Sequence, residues 1–174
     1  MIMEKILEGK RILAVDDEHD ILETLDELLD MCIIDRAPDY EAAKIFLDKD
    51  NYDAAILDIM GVSGYDLLQI TAQKGIPTLM LTAHALSPDN LVKSIKEGAH
   101  CYLPKDKISD VASYLADMLK DYDKNAPKQG KWFSRLRPFF DRNFGTGWRD
   151  EHRKFWTDFD ETYHVSKEDV EKIM

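Results

Sequence analysis

The chain of 174 residues reads as an α/β fold: a doubly wound parallel sheet of five strands in the order 2-1-3-4-5, with a helical extension at its C-terminal end. Two observations predict it. Over residues 1–122, short β-rich runs alternate with helical patterns, the mark of βαβ units feeding a parallel sheet. The first of these runs is almost wholly apolar, as expected of a strand buried on both faces. Right-handed crossovers leave few arrangements for five such units, and this order opens a crevice at the carboxyl ends of strands 1 and 3.

The elements follow in turn. Residues 11–16 form the first strand, and Ile21, Leu22, Leu25, Leu28, Leu29 and Cys32 then recur at spacings of three and four, predicting an amphipathic helix over 19–31. Cys32 to Ala37 reads as a second strand and Tyr40 to Leu47 as the helix after Pro38-Asp39. Ala54 to Asp58 is the third strand; a loop with Gly61 and Gly64 leads into a helix through Leu67, Leu68, Ile70 and Thr71 that stops at Gly75. Ile76 to Thr82 is the fourth strand. Ser87-Pro88 gives an N-cap followed by proline at the first helical position, opening a helix that ends at Gly98. Ala99 to Leu103 is the fifth strand and Ile108 to Tyr122 the fifth helix.

Composition bounds the function. The chain is 44% hydrophobic and 33% charged, its apolar runs are strand-sized and far below the ~18 residues of a membrane span, and Met1-Ile2-Met3-Glu4 lacks the order of a signal peptide. A cytoplasmic protein with no transmembrane segment is expected. Cys32 and Cys101 fall on opposite edges of the expected sheet, too far apart to bridge. Charge is uneven: residues 1–122 carry 12 Lys/Arg against 24 Asp/Glu, whereas residues 124–154 carry 9 against 3. An acidic body thus bears a basic arm, fit to dock on that body, on a partner or on an anionic surface.

The candidate site lies where the strands end. The third strand stops at Asp58, the first at Asp16-Asp17-Glu18, the fourth at Thr82 and the fifth before Lys105. In parallel strands all of these emerge at one edge. Taken alone, the acidic triplet is more simply a helix cap and Lys105 a surface lysine; together they point to phosphoryl chemistry.

These residues carry a resemblance. The acidic pair after strand 1, the Asp ending strand 3, Thr82-Ala83 after strand 4 and Tyr102-Leu103-Pro104-Lys105 at strand 5 resemble the receiver domain of two-component response regulators, a flavodoxin-like fold, over residues 11 to about 122. The resemblance implies a signalling switch with no catalysis beyond accepting and shedding a phosphoryl group. Asp58 would take that group from a histidine kinase or phosphotransfer protein. Mg²⁺ would be the cofactor, held by Asp17 and Asp58, by Asp16 through water and by the Met60 carbonyl. Crowded carboxylates call for such a cation, and open oxygen sites suit Mg²⁺. Lys105 would pair with Asp58 at rest and with a phosphoryl oxygen afterward. Thr82 would bond another oxygen, and its withdrawal would let Tyr102 turn inward. Output would run through protein-protein contacts.

Two departures from the family pattern stand out, the first bearing on the metal and the second on the last loop. Ile59 to Gly64 is about two residues shorter than the usual loop and lacks its proline, which predicts weaker Mg²⁺ holding, and Asp106 stands where a proline is usual. The alternative that these departures raise is a degenerate receiver serving as an unphosphorylated interaction scaffold.

The remainder divides into a linker at 123–131 and an aromatic-rich helical extension at 132–174. Trp148, His152, Phe155, Trp156, Phe159 and Tyr163 share one face at helical spacing, and Ser166 with Asp169 resembles a capping box. No DNA-binding motif is evident. Aromatics at this spacing favour packing on the body, while burial in a homodimer partner is also compatible with them.

Overall fold

The computed structural model describes residues 2–123 and 130–162. Five strands, β1 (Arg11–Val15), β2 (Ile33–Ala37), β3 (Ala54–Leu57), β4 (Thr78–Thr82) and β5 (Cys101–Pro104), form one parallel sheet in the order β2-β1-β3-β4-β5. The expected order is therefore the observed one. Leu57 lies opposite Val15 in register, and Thr82 opposite Pro104. The residues that follow these strands are thereby brought to the same end of the sheet.

The helices are α1 (Ile2–Leu7), α2 (His19–Leu28), α3 (Tyr40–Lys49), α4 (Gly64–Gln73), α5 (Pro88–Lys96), α6 (Val111–Asp123), α7 (Gly130–Phe144) and a last helix α8 over 153–162. Local chemistry sets their starts. The Asp39 carboxylate accepts from the Ala42 amide at the head of α3, and the Ser87 hydroxyl accepts from Asn90 N at the head of α5. A 3-10 stretch, Lys105–Asp110, precedes α6, so that helix starts three residues later than the periodicity suggests.

Two boundaries need physical correction. The helix expected over 19–31 stops at Leu28, and Cys32 bonds back to the chain before β2, its thiol 3.4 Å from the Leu7 carbonyl. Helix α1 has no counterpart in the sequence reading. It packs against α6 and buries Leu7.

The two edges of the sheet differ. Strand β2 is largely solvent-facing, with Ile33 54% exposed, whereas β5 is buried along its whole length although it too is an edge. The cover is α7, which packs on both β5 and α6. An uncovered edge would present unpaired backbone groups to other chains.

Helix α7 buries Trp132, Phe133, Leu136, Phe139 and Phe140, leaves Arg137 exposed, and lays Arg135 along α6, 3.0 Å from Asp117 and 3.8 Å over the Tyr114 ring. The single helix expected from Trp148 onward is divided. Gly145 and Gly147 both take positive φ, a 3-10 turn covers Asp150–His152, and α8 begins only at 153. Trp148 therefore joins the cluster from a turn rather than from a helix face. Phe133 is the hub, its ring 4.9 Å from Phe159, 5.2 Å from Trp156 and 5.7 Å from Trp132. Most of the expected linker, together with Tyr163 and the capping box at Ser166 and Asp169, lies outside the described residues.

Candidate functional site at the carboxyl edge of the sheet

Backbone pairing continues just past the strands and fixes the two central acids. Asp58 N donates to the Val15 carbonyl at 2.9 Å, and Asp16 N donates to the Ala37 carbonyl at 3.2 Å. Both carboxyl residues are buried, Asp16 at 1% and Asp58 at 5% exposure, while Asp17 and Glu18 face solvent. The Asp16 carboxylate also accepts from the Glu18 amide at 2.9 Å, which closes the turn into α2.

Lys105 joins these acids from the end of β5. Its ammonium lies 2.9 Å from Asp16 Oδ2, 3.2 Å from Glu18 Oε1 and 3.6 Å from Asp58 Oδ2. The pairing expected with Asp58 is present, but the two shorter contacts are to Asp16 and Glu18. Asp16 is one residue past β1 and equally buried, so it competes directly for the same cation. Glu18 is a site residue to which the sequence reading gave no role; its position third in the acidic run was the signal.

The charges are mutually adjusted. Burial pushes the Asp58 carboxyl up to about 6, the Asp16 charge adds to this, and Lys105 opposes it. Burial likewise raises Asp16, partly offset by the Glu18 amide and Lys105. For Lys105 burial works against the ammonium, yet the hydrogen bond and charge of Asp16, with Asp58 and Glu18, hold it above its ordinary range. Acids raised by burial beside a buried cation, at an edge open to solvent, are the kind of cluster from which functional sites are built.

Thr82 is buried, and its hydroxyl accepts from the Ala85 amide at 3.2 Å. Ala83 and His84 next to it are exposed, and His84 Nε2 lies 4.0 Å from Glu18 Oε1. Tyr102 is fully buried and donates from its hydroxyl to the Ala85 carbonyl at 3.0 Å. Ala85 thus bonds to both residues named as the switch. Nothing in the sequence singled it out.

The loop after Asp58 is tight. Gly61 has φ +85, and a side chain there would run into the Asp17 carboxylate; a side chain at Gly64 would strike the Asp58 backbone carbonyl. Ser63 caps α4 from the left-handed region at φ 54 without a side-chain hydrogen bond, an uncommon conformation for a residue other than glycine. Met60 is 53% exposed on this loop.

The residues present fit a hard divalent cation. Carboxylate oxygens of Asp16, Asp17 and Glu18 lie within 4.8 Å of one another, with Asp17 and Glu18 open to solvent and Asp16 Oδ2 facing the Lys105 ammonium at 2.9 Å. This all-oxygen set is the type Mg²⁺ prefers.

Comparison with known proteins agrees with the fold and the motif. Residues 12–115 match the family described as the response regulator receiver domain, and the chain belongs to that family. It is 33% identical over 108 residues to the two-component response regulator ARR18 of Arabidopsis thaliana, and 29% identical over 126 residues to ARR12 of the same plant. These alignments cover 59% and 67% of this chain but only 17% and 21% of those relatives. Among solved structures it is similar to the CheY-like receiver domain protein of Methanospirillum hungatei, with a TM-score of 0.61, 25% identity, and coverage of 68% of this chain and 100% of that one. No helix among the described residues is long and apolar enough to cross a membrane.

Proposed function

We propose that this chain is the phosphoryl-accepting switch of a two-component phosphorelay, with Asp58 as acceptor and a phosphohistidine of a kinase or phosphotransfer protein as donor. The observation that carries the reading is the convergence at one sheet edge of buried Asp58, Asp16, Thr82 and Lys105. An Asp58 carboxylate oxygen forms the bond to phosphorus as the phosphorus–nitrogen bond breaks. The electron pair departs with the donor imidazole, which takes a proton from solvent.

Each neighbour has a part. Lys105 balances the negative charge that gathers on the phosphoryl oxygens, and the Thr82 hydroxyl donates to one of them. Asp16, Asp17 and Asp58, with the Met60 carbonyl, would hold Mg²⁺, and Glu18 is close enough to contribute. When bound, Mg²⁺ supplies charge neutralisation for in-line phosphoryl transfer. The residues' own task is to hold those oxygens together while Lys105 keeps them from expelling one another.

The test is direct. With Mg²⁺ and phosphoramidate the full chain should gain one phosphoryl group by intact mass, and Asp58→Asn should not. A folded chain that stays unmodified, in conditions where a receiver control is labelled, contradicts the reading.

A further inference from the structure

We infer that Asp89, Glu151 and His152 form a second metal site, one that takes Zn²⁺ and clasps α5 to the C-terminal cap, residues 130–162. The site shares no residue with the acidic edge at Asp58 and does not depend on the phosphoacceptor reading.

Two stretches far apart in sequence meet here. Asp89 stands in the first turn of α5, and Glu151 and His152 lie in the 3-10 turn that precedes α8. His152 Nε2 is 2.8 Å from Asp89 Oδ1, across 63 residues of sequence. One ligand atom from each of the three residues lies within 4.8 Å of the other two. In four-coordinate zinc, bonds of ~2.0–2.1 Å put neighbouring N and O ligands roughly 3.4 Å apart, which lies between these spacings. His152 is half-buried and supplies a fixed point, while Asp89 and Glu151 are exposed and free to turn toward a shared ion.

The charges around this turn are unbalanced. Neighbouring acids have guanidinium partners: Asp150 lies 3.8 Å from Arg153, and Asp160 lies 2.7 Å from Arg149. Among the described residues, Asp89 meets His152 but no Lys or Arg, and Glu151 has neither an ion pair nor a hydrogen bond. Two carboxylates thus crowd one imidazole with no cation to offset them, and a metal ion supplies that charge. A docking pair accounts for His152 and Asp89 alone. The third, unpaired acid makes the pair a ligand set.

The donors also select the metal. At the strand ends every side-chain ligand is a carboxylate, which suits Mg²⁺, whereas here an imidazole nitrogen joins two carboxylates, and imidazole favours Zn²⁺ over Mg²⁺. Three protein ligands leave one position for water. The neutral ring binds through Nε2 and keeps its proton on Nδ1. An ion held from both sides ties the first turn of α5 to the cap, so zinc binding stabilises the docked cap.

All three tryptophans, Trp132, Trp148 and Trp156, belong to the cap, so their emission follows its unfolding. In the experiment the full chain is stripped with chelator, kept in excess Mg²⁺ to fill the acidic edge, titrated with Zn²⁺ by calorimetry, and melted with and without Zn²⁺ under tryptophan emission. Glu151→Gln removes a ligand charge from an exposed, unpaired side chain and leaves the fold alone; His152→Ala removes the nitrogen ligand. The expected result is a Zn²⁺ site weakened about tenfold in Glu151→Gln and about a hundredfold in His152→Ala, the range that losing even a ligand's supporting partner spans. The cap melt of wild type should shift upward with Zn²⁺, and both variants should lose that shift. A wild type that binds no Zn²⁺ in the presence of Mg²⁺ overturns the inference. So does Zn²⁺ binding that either variant keeps at full strength, which places the ion elsewhere, such as at the His19–Glu23 pair on α2. Zn²⁺ bound at this site without a shift of the melt overturns the clasp.

Discussion

Lys105 Nζ stands 2.9 Å from Asp16 Oδ2, nearer than the 3.6 Å that separates it from Asp58 Oδ2. The cation is therefore shared between two buried acids, and with its side chain only 8% exposed it is itself poorly hydrated. Removing it leaves both charges uncompensated. Lys105→Met should destabilise the fold by roughly 3 kcal/mol at pH 7. The loss should shrink near pH 5, where protonation of the acids substitutes for the missing ammonium. Urea denaturation at the two pH values checks this, and an equal loss at both would contradict it.

Asp58 gives a second pH signature. Its folded value is about 6 against an ordinary 3.8, so the native state holds the proton more tightly than the unfolded chain. Its favourable contribution is thus complete below about pH 4 and is lost as pH rises through about 6. Asp58→Asn escapes that loss. Without Mg²⁺, the variant should be more stable than wild type by roughly 1 to 3 kcal/mol at pH 8, and the difference should fade toward pH 4. Thermal melts across this range read the window directly.

Gly61 and Gly64 press on the acids from the following loop, one against the Asp17 carboxylate and the other against the Asp58 carbonyl. Gly61→Ala should lower stability by about 1 to 2 kcal/mol because of its positive φ, and it should weaken Mg²⁺ binding measured by calorimetry by displacing Asp17. Gly64→Ala should cost more, since the obstacle is backbone and cannot rotate away.

The cap depends on Phe133, whose ring touches Trp132, Phe140, Trp156 and Phe159. Phe133→Ala should reduce the stability of the cap by about 3 to 5 kcal/mol. Denaturation followed by tryptophan emission should then show an early transition, ahead of that followed by far-ultraviolet dichroism.

The sheet was legible because its strands are short apolar runs punctuated by Gly, Pro and acids, and because parallel order leaves little freedom once five units are counted. Ser87 was readable as a cap from its residue type and from the run Pro88-Asp89-Asn90 that follows it. The site residues were visible as chemistry at strand ends, but their partners were not: the preference of Lys105 for Asp16 depends on side-chain reach, and the bonds of Ala85 to Thr82 and Tyr102 use backbone atoms that any residue type would supply. The extension was read as helical, but α7 begins at Gly130, inside the expected linker, and runs through Pro138, a residue that ordinarily breaks a helix. Gly145 and Gly147 marked the break after α7, but the division between Trp148 and α8 at the 3-10 turn Asp150–His152 carries no such punctuation, and the helical spacing of the aromatics ran across it. Helix α1 is only six residues long, too short for periodicity to reveal.

The central claim is that Asp58 itself carries the phosphoryl group. Treating the chain with phosphoramidate and Mg²⁺ and then trapping with borohydride reduces an aspartyl phosphate to homoserine, which peptide mapping locates. The account predicts homoserine at position 58, dependent on both phosphodonor and Mg²⁺. Homoserine at another aspartate, or none in a folded and Mg²⁺-saturated chain, would contradict it.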